Sequence, residues 1–259
     1  MSPSPSHDSI VGVRSVTEEP MAGDPPALTH PEWSRRWPGI VQGITVPGEE
    51  RAWDFRLFGG AGTGVAARWE RLGALMGCPA AAHARQPHGA AIRVHDALPA
   101  GLLLAPPVDA HATRARRILL AITVADCVPA WVVAPQRGAV AVVHAGWRGA
   151  AAGILETAVA TLGDRFGAPP GELAVHLGPS ICGDCYEVGP EVHEALGEAV
   201  PPRPLPVDLR ANLARRAVAM GVPAEAVSRS TLCTRCGSVD LFSHRGGDAG
   251  RQVAFVALR

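Results

Sequence analysis

Short, continuous apolar runs dominate the middle of the chain. Residues 117–127, 131–134 and 139–143 are rich in Val, Ile and Ala, and each run predicts a buried strand. Three such strands so close together are hard to reconcile with βαβ alternation, so part of the sheet is expected to be antiparallel or mixed. The third run stops at His144, which places this imidazole at the carboxyl end of a buried strand, where α/β proteins carry their chemistry.

Helical spacing of apolar positions marks three other segments. Helices are predicted over residues 65–76, from 147 to about 166, and from the N-cap Asp208 to about 220. Further strands are predicted over residues 54–60, 172–177 and 253–258. The sequence contains no internal repeat and no convincing linker after residue 35, and this favours a single domain.

The amino-terminal segment has a different composition from the rest. Residues 1–35 are rich in Pro and Ser and show little periodicity, which predicts a disordered extension before a folded domain over 36–259. The first residues lack the pattern of a signal peptide, and no apolar run approaches the roughly 18 residues of a membrane span. We therefore expect a cytoplasmic protein that does not contact a membrane.

The charge pattern narrows the possible ligands. Acidic and basic residues balance at 24 each, without a concentrated basic face, so no nucleic-acid partner is expected. All the basic residues are arginine, which excludes a Schiff-base or P-loop lysine and leaves arginine or backbone N–H groups to hold an anion. Arg71 and Arg148 are candidates, and Arg148 is favoured because it begins a predicted helix. Arg245 is a further candidate, whereas Arg210 is better read as a solvated arginine.

His88, Cys127 and His144 each end or interrupt an apolar segment beside Gly, Asp or Pro. Two imidazoles and a thiolate are suitable ligands for zinc, and three protein ligands leave a fourth position open. The simpler interpretation is a core cysteine with two hydrogen-bonded histidines. A third is catalytic: His144 activates Cys127 as a nucleophile while Asp126 orients the imidazole. The spacing does not decide among the three.

Other polar residues suggest further chemistry. Asp126 and Glu187 can act as general acid or base in a cleft. Two Cys-X-X-Cys pairs also stand out: one hypothesis is a closed four-cysteine zinc site, and the alternative is isolated reduced thiols. The four cysteines are Cys182, Cys185, Cys233 and Cys236.

Several motifs in a fixed order resemble a known family. The chain is similar to the multicopper polyphenol oxidase (laccase-like) family, now described as purine nucleoside phosphorylases and including a bacterial peptidoglycan editing factor. The resemblance covers about residue 40 to the end. The matching motifs are Gln-Pro-His-Gly at 86–89, Val-Ala-Asp-Cys-Val-Pro at 124–129, His-Ala-Gly-Trp-Arg-Gly at 144–149, residues 178–188, Asp-Leu-Arg-Ala-Asn at 208–212, Cys-Thr-Arg-Cys at 233–236 and residues 241–251.

The resemblance implies an α+β fold, a single domain of mixed β-sheets flanked by helices. It implies zinc on His88, Cys127 and His144, with copper possible in the same site. It also implies phosphorolysis of adenosine, inosine and S-methyl-5'-thioadenosine, and deamination of adenosine. Gln86 and Asn212 lie in matching motifs and are expected to bind substrate or phosphate.

Two alternative functions remain open at this stage. One is copper-dependent oxidation of phenols, and the other is a cysteine-dependent hydrolase that edits peptidoglycan precursors. A nucleoside and phosphate are the expected small-molecule partners, and the sequence does not indicate an oligomeric state.

Overall fold

Two mixed β-sheets pack face to face at the centre of the molecule, and helices cover their outer surfaces. The computed structural model describes residues 11–60 and 62–259. In this part of the chain the strands are β1 (Arg14–Val16), β2 (Glu19–Met21), β3 (Ala27–Thr29), β4 (Ile40–Thr45), β5 (Ala80–Ala84), β6 (Ile92–His95), β7 (Gly101–Ala105), β8 (Ala110–Thr113), β9 (Ile118–Val124), β10 (Val128–Ala134), β11 (Ala139–Ala145), β12 (Ala174–Leu177), β13 (Glu187–Val188), β14 (Leu205–Pro206), β15 (Val227–Ser230) and β16 (Gln252–Leu258).

The helices are α1 (Pro31–Arg36), α2 (Val65–Leu75), α3 (Trp147–Ala151), α4 (Ile154–Phe166), α5 (Pro190–Ala195) and α6 (Leu209–Ala219), again among the described residues. Short 3-10 turns occur at Glu49–Arg51, Pro170–Glu172, Gly183–Cys185 and Ala224–Ala226. Asp208 caps α6 by accepting a hydrogen bond from the backbone of Ala211, as the sequence predicts.

Each large sheet contains both parallel and antiparallel pairs. The first has the order β1-β15-β12-β10-β11-β8-β6, the second has the order β2-β3-β4-β16-β9-β5-β7, and β13 and β14 form a separate two-stranded ribbon. Strand β10 pairs antiparallel with both β11 and β12, whereas β15 is parallel to β12. The expected single domain with mixed sheets and flanking helices is therefore confirmed.

The strands at the centre bury both of their faces. In β11, Val140 and Val142 point into the layer between the sheets, while Ala141 and Val143 face α4. In β16 the same alternation puts Val256 between the sheets and Phe255 against α2. Strands covered on both sides need no polar face, and this explains why the sequence shows continuous apolar runs where a half-exposed strand would alternate.

The amino-terminal segment is ordered from residue 11, so the prediction of a disordered extension over 1–35 is wrong there; residues 1–10 lie outside the described part. β1 pairs parallel with β15, and β3 pairs with β4. Trp33 of α1 is buried in the layer between the sheets. The β1–β15 pairing joins residues far apart in sequence, and the Pro- and Ser-rich composition of the segment did not predict it.

Two other elements differ from the sequence prediction. The single helix expected from 147 to 166 is two helices, because Gly153 adopts a left-handed conformation (φ 83°) between α3 and α4. The strand expected over residues 54–60 is irregular, although Phe55 is buried and packs against α2. Within the described residues, no helix is long and apolar enough to cross a membrane.

Candidate metal centre

Strand register brings two of the predicted ligands together. Val128 at the start of β10 lies opposite Ala145 at the end of β11, so Cys127 lies beside the strand end that carries His144. On the other side of β11, the backbone N–H of His144 donates a 2.7 Å hydrogen bond to the carbonyl of Asp109, just before β8. The antiparallel ladder alone therefore aligns these three residues at one edge of the sheet.

His88 reaches the same edge from the loop between β5 and β6. Its backbone is in the left-handed region (φ 64°), an uncommon conformation for a residue with a side chain. The carboxylate of Asp109 stabilises this conformation, because it accepts hydrogen bonds from the backbone N–H of His88 (2.9 Å) and of Gly89 (2.7 Å). A strained backbone that neighbouring groups hold in place is typical of functional sites.

The ligand atoms of His88, Cys127 and His144 all lie within 4.8 Å of one another. The two imidazoles meet edge to face, with centroids 4.8 Å apart and an interplanar angle of 74°. A Cβ on Gly146 would lie 3.0 Å from both the Cys127 sulfur and the His88 ring, so even a methyl group there would crowd two of the candidate ligands. The donor set and this space fit a borderline-soft metal such as zinc.

Asp109, which sequence reasoning missed, orients the buried histidine of the triad. It is fully buried, and its Oδ1 lies 2.9 Å from Nδ1 of His144. This contact leaves Nε2 of His144 free for a metal, the arrangement usual for histidine ligands. The only sequence signal is a carboxylate next to a short apolar strand, which does not distinguish Asp109 from a surface residue.

Cys127 and His144 shift each other's ionisation. Burial opposes the thiolate, but the neighbouring His144 and His88 outweigh it and lower the pKa of Cys127. Burial also opposes the imidazolium, yet Cys127 and Asp109 raise the pKa of His144. A site that favours a thiolate is suited to a metal ligand or to a nucleophile.

Asp126 joins three loops next to Cys127. Its Oδ1 accepts hydrogen bonds from the hydroxyls of Thr234 (2.5 Å) and Ser243 (2.8 Å), and its Oδ2 accepts one from the backbone of Arg245 (2.6 Å). The residue is buried and has a left-handed backbone (φ 85°). These contacts occupy both carboxylate oxygens, which favours a positioning role over the expected transfer of protons.

Tyr186 lies beside the triad and was also missed. Burial and the negative charge of Cys127 raise the pKa of its hydroxyl to about 12, although Arg245 and Arg148 oppose this shift. The Arg245 guanidinium lies 5.3 Å from the Tyr186 ring centroid and donates a 2.9 Å hydrogen bond to the carbonyl of Glu187. The Arg148 and Glu187 side chains are exposed. Arg245 thus lies over a protonated phenol, whereas the Arg148 guanidinium lies over the ring of Trp147, 4.2 Å from its centroid.

The other predicted binding residues have different partners. Arg71 forms an ion pair with Asp24 and lies over Trp53. Gln86 does not extend into the site: its amide pairs with the backbone of Thr123 and holds the end of β5 against β9.

The side chains of two residues of α6 also donate hydrogen bonds to other parts of the protein. Asn212 donates to the carbonyl of Leu196 and to Glu198. Arg210 is buried, not solvated as the sequence suggested, and it donates to the carbonyls of Ser230 and Leu232. The expected substrate or phosphate contacts of Arg71, Gln86 and Asn212 therefore stay predictions, and none of the three is among the residues grouped as possible metal ligands.

Fold and site together define a mixed α/β protein with a centre of two imidazoles and one thiolate. Residues 59–259 match the family model described as multi-copper polyphenol oxidoreductase laccase. The chain belongs to this family.

Two proteins of similar sequence, and the crystal structure of one of them, resemble this chain. The purine nucleoside phosphorylase YlmD of Geobacillus stearothermophilus is 38% identical over 167 residues, which cover 60% of this chain and 61% of the relative. Adenosine deaminase RL5, from an unknown prokaryotic organism, is 41% identical over 157 residues, 56% of this chain and 60% of the relative. The matched region thus spans about three fifths of either relative. The crystal structure of YlmD from Geobacillus stearothermophilus superposes with a TM-score of 0.83 at 28% identity, covering 93% of this chain and 99% of that one.

Proposed function

We propose that this protein is a zinc-dependent purine nucleoside phosphorylase that acts on adenosine, inosine and S-methyl-5'-thioadenosine and also deaminates adenosine. The observation that carries the proposal is the convergence of His88, Cys127 and His144, with Asp109 behind them. Two relatives named for these two activities support it.

His88, Cys127 and His144 would hold the zinc ion and leave one position open. Zinc bound there supplies a Lewis acid that polarises an oxygen atom. Asp109 fixes the tautomer and the direction of the His144 ring, and through the backbone of His88 it also sets the position of the second imidazole.

Arg148 and Arg245 are suited to hold the phosphate. A guanidinium group can donate two parallel hydrogen bonds to phosphate oxygens. Arg245 lies over the Tyr186 ring, and Arg148 lies in α3, which begins just after the strand that carries His144. A phenol that stays protonated at neutral pH can donate a hydrogen bond to a substrate oxygen or nitrogen. The exposed carboxylate of Glu187, next in the chain, is our candidate for moving protons, and Asp126 positions the loops around it.

The test is to incubate the full chain with adenosine, inosine or methylthioadenosine, each with and without phosphate, and to separate the products by chromatography. Phosphorolysis gives a free base and a sugar phosphate only when phosphate is present, and deamination converts adenosine to inosine without it. Elemental analysis of the same sample measures bound zinc and copper. Copper together with phenol oxidation, and no nucleoside turnover, would replace this proposal with the oxidase alternative.

A pair of cysteine variants links the activity to the site. Cys127→Ser is expected to lose the zinc ion held by His88, Cys127 and His144 and at least 100-fold in turnover, because a serine hydroxyl is a much poorer zinc ligand than a thiolate. Cys78→Ser is the matched control, since Cys78 is buried against α2 in a different part of the molecule. Full turnover and full zinc content in Cys127→Ser would contradict the proposal.

A second candidate function follows from a specific contact pattern. Cys127, His144 and Asp109 form a chain of thiol, imidazole and carboxylate, the arrangement that activates a nucleophilic cysteine. A cysteine-dependent hydrolase acting on a peptidoglycan precursor would use it. Alkylation of Cys127 that abolishes activity while zinc stays bound would favour this function over the first.

A further inference from the structure

The fold brings together two cysteine pairs that are far apart in sequence. Cys182 precedes the 3-10 turn Gly183–Cys185 after β12 and Cys185 ends it, while Cys233 and Cys236 follow β15. A bridge between Ser180 and Cys233 aligns the two segments, and the backbone N–H of Thr234 donates to the carbonyl of Ser180. All four sulfur atoms lie within 4.8 Å of one another.

The distances fit a single ion held by four sulfurs. In a tetrahedral site with zinc–sulfur bonds of about 2.3 Å, neighbouring sulfurs are about 3.8 Å apart. The sulfurs of Cys182 and Cys236 are 3.7 Å apart, and all four cysteines are free thiols. A disulfide instead requires bonded sulfurs about 2.05 Å apart.

Backbone donors converge on the most buried sulfur of the cluster. The N–H groups of Cys182 (3.2 Å), Arg235 (3.4 Å) and Cys236 (3.5 Å) all point to the sulfur of Cys233. Amide groups aimed at one sulfur stabilise negative charge on it. A turn of this tightness requires Gly237, because a Cβ there would lie 2.4 Å from the carbonyl oxygen of Cys233.

We propose that Cys182, Cys185, Cys233 and Cys236 form a second, structural zinc site. Four protein ligands close the coordination sphere, so this ion would take no part in the reaction. It fastens the turn before Tyr186 to the segment that carries Thr234, whose hydroxyl binds Asp126.

Zinc analysis in a variant without the first centre tests the proposal. In His88→Ala/His144→Ala, one zinc equivalent per chain is expected to remain, and adding Cys185→Ser/Cys236→Ser is expected to remove it. Adding Cys78→Ser instead is the matched control and should leave the ion in place. Cobalt in the same background is expected to give the charge-transfer bands of tetrahedral thiolate coordination. A folded His88→Ala/His144→Ala chain without tightly bound zinc would overturn the proposal.

A second measurement uses the unaltered protein and does not depend on whether cysteine variants fold. Under reducing conditions, the thiols of the zinc-loaded chain are alkylated with and without a strong chelator, and each cysteine is followed by peptide mass spectrometry. Cys236, the exposed member, is expected to react at least tenfold faster once zinc is removed. Buried Cys78 should stay unreactive in both samples, which shows that the chain has not unfolded. Equal reactivity of Cys236 in both samples would contradict the site.

Discussion

One carboxylate organises the candidate catalytic centre. Asp109 has no exposed surface, and its two oxygens accept hydrogen bonds from the His144 ring and from the backbone of His88 and Gly89. It therefore contacts two of the three ligand residues without being a ligand itself. Loss of a residue in such an outer position typically lowers metal affinity by about 10- to 100-fold.

Replacing this carboxylate is expected to weaken metal binding. In Asp109→Asn the amide nitrogen presents a donor where the native oxygen accepts, so zinc affinity should fall by about 10- to 100-fold. Competition with a chromophoric chelator measures the change. Asp54→Asn is the matched control, because Asp54 also accepts backbone hydrogen bonds, from Arg56 and Arg251, but in a different loop. Equal zinc affinity in wild type and Asp109→Asn would refute the role given to Asp109.

The sequence predicted the candidate metal ligands better than the residues that orient them. His88, Cys127 and His144 could be predicted because imidazoles and a thiol at strand ends are chemically distinctive and occur in recognisable motifs. Asp109 and Tyr186 could not, because a carboxylate or phenol acquires its role only through neighbours brought close by folding. Asp126 shows the same limit: its position beside Cys127 suggested acid–base chemistry, but Thr234 and Ser243 come from distant loops.

Helix α3 begins directly against the metal centre. Gly146 is its N-cap, with φ −78° and ψ 170°, a conformation that any residue can adopt. The constraint on this position is therefore steric, since a Cβ would meet Cys127 and His88 at 3.0 Å. The helix also has only five residues, so the dipole that a long helix would offer to phosphate near Arg148 is reduced.

A single methyl group at this helix start is expected to disturb the centre. Gly146→Ala should cost about 1–3 kcal/mol through overpacking, seen as weaker zinc binding rather than as a change of fold. Gly163→Ala in α4 is the control, because its Cβ would make only an ordinary 3.6 Å contact with the carbonyl of Ala168. Zinc titration of both variants measures the loss of metal affinity, and thermal unfolding measures any loss of fold stability. A wild-type zinc affinity in Gly146→Ala would contradict the steric role given to Gly146.

Elements built from local pattern were predicted well. Apolar runs predicted β9, β10 and β11, and helical spacing predicted α2 and α6, the latter with its cap at Asp208, because each depends on residues within one stretch of sequence. The break between α3 and α4 was missed, since a glycine inside an apolar helical pattern does not reveal its φ angle.

At the scale of the whole molecule, buried histidines make stability depend on pH. Burial lowers the pKa of His30 to about 3, and burial lowers the pKa of His83 to about 4. Both therefore remain neutral in the folded protein at pH values where they take up a proton on unfolding. Their contribution to the free energy of unfolding is complete above the pKa of about 6.5 in the unfolded chain. It is lost as the pH falls toward the lower pKa values of the folded protein.

The free energy of unfolding is thus expected to fall between pH 6.5 and pH 4.5. Each of the two histidines adds a slope that approaches about 1.4 kcal/mol per pH unit. Denaturant titrations at several pH values should show a smaller slope for His83→Gln than for wild type. His244→Gln removes an exposed histidine and should keep the wild-type slope. An identical slope in His83→Gln and wild type would show that His83 does not contribute to the pH dependence of the free energy of unfolding.

The long-range order of the sheets was beyond sequence reasoning. β16 at the end of the chain lies between β4 and β9, and β1 pairs with β15. The pattern of apolar residues specifies which face of a strand is covered. It does not specify the neighbouring strand, because several strands of similar composition would fit the same place. The neighbour of each strand depends on packing across the whole core.

The three ligands of the first centre differ in how they meet solvent. Cys127 and His144 are attached to the β10–β11 ladder, where His144 is only 4% exposed, whereas His88 is exposed on a loop. An ion arriving from solution therefore encounters His88 first and the two ladder residues afterwards. We therefore expect exchange of a bound ion to require movement of the His88 loop alone, so that the centre can be loaded or emptied while both sheets stay intact.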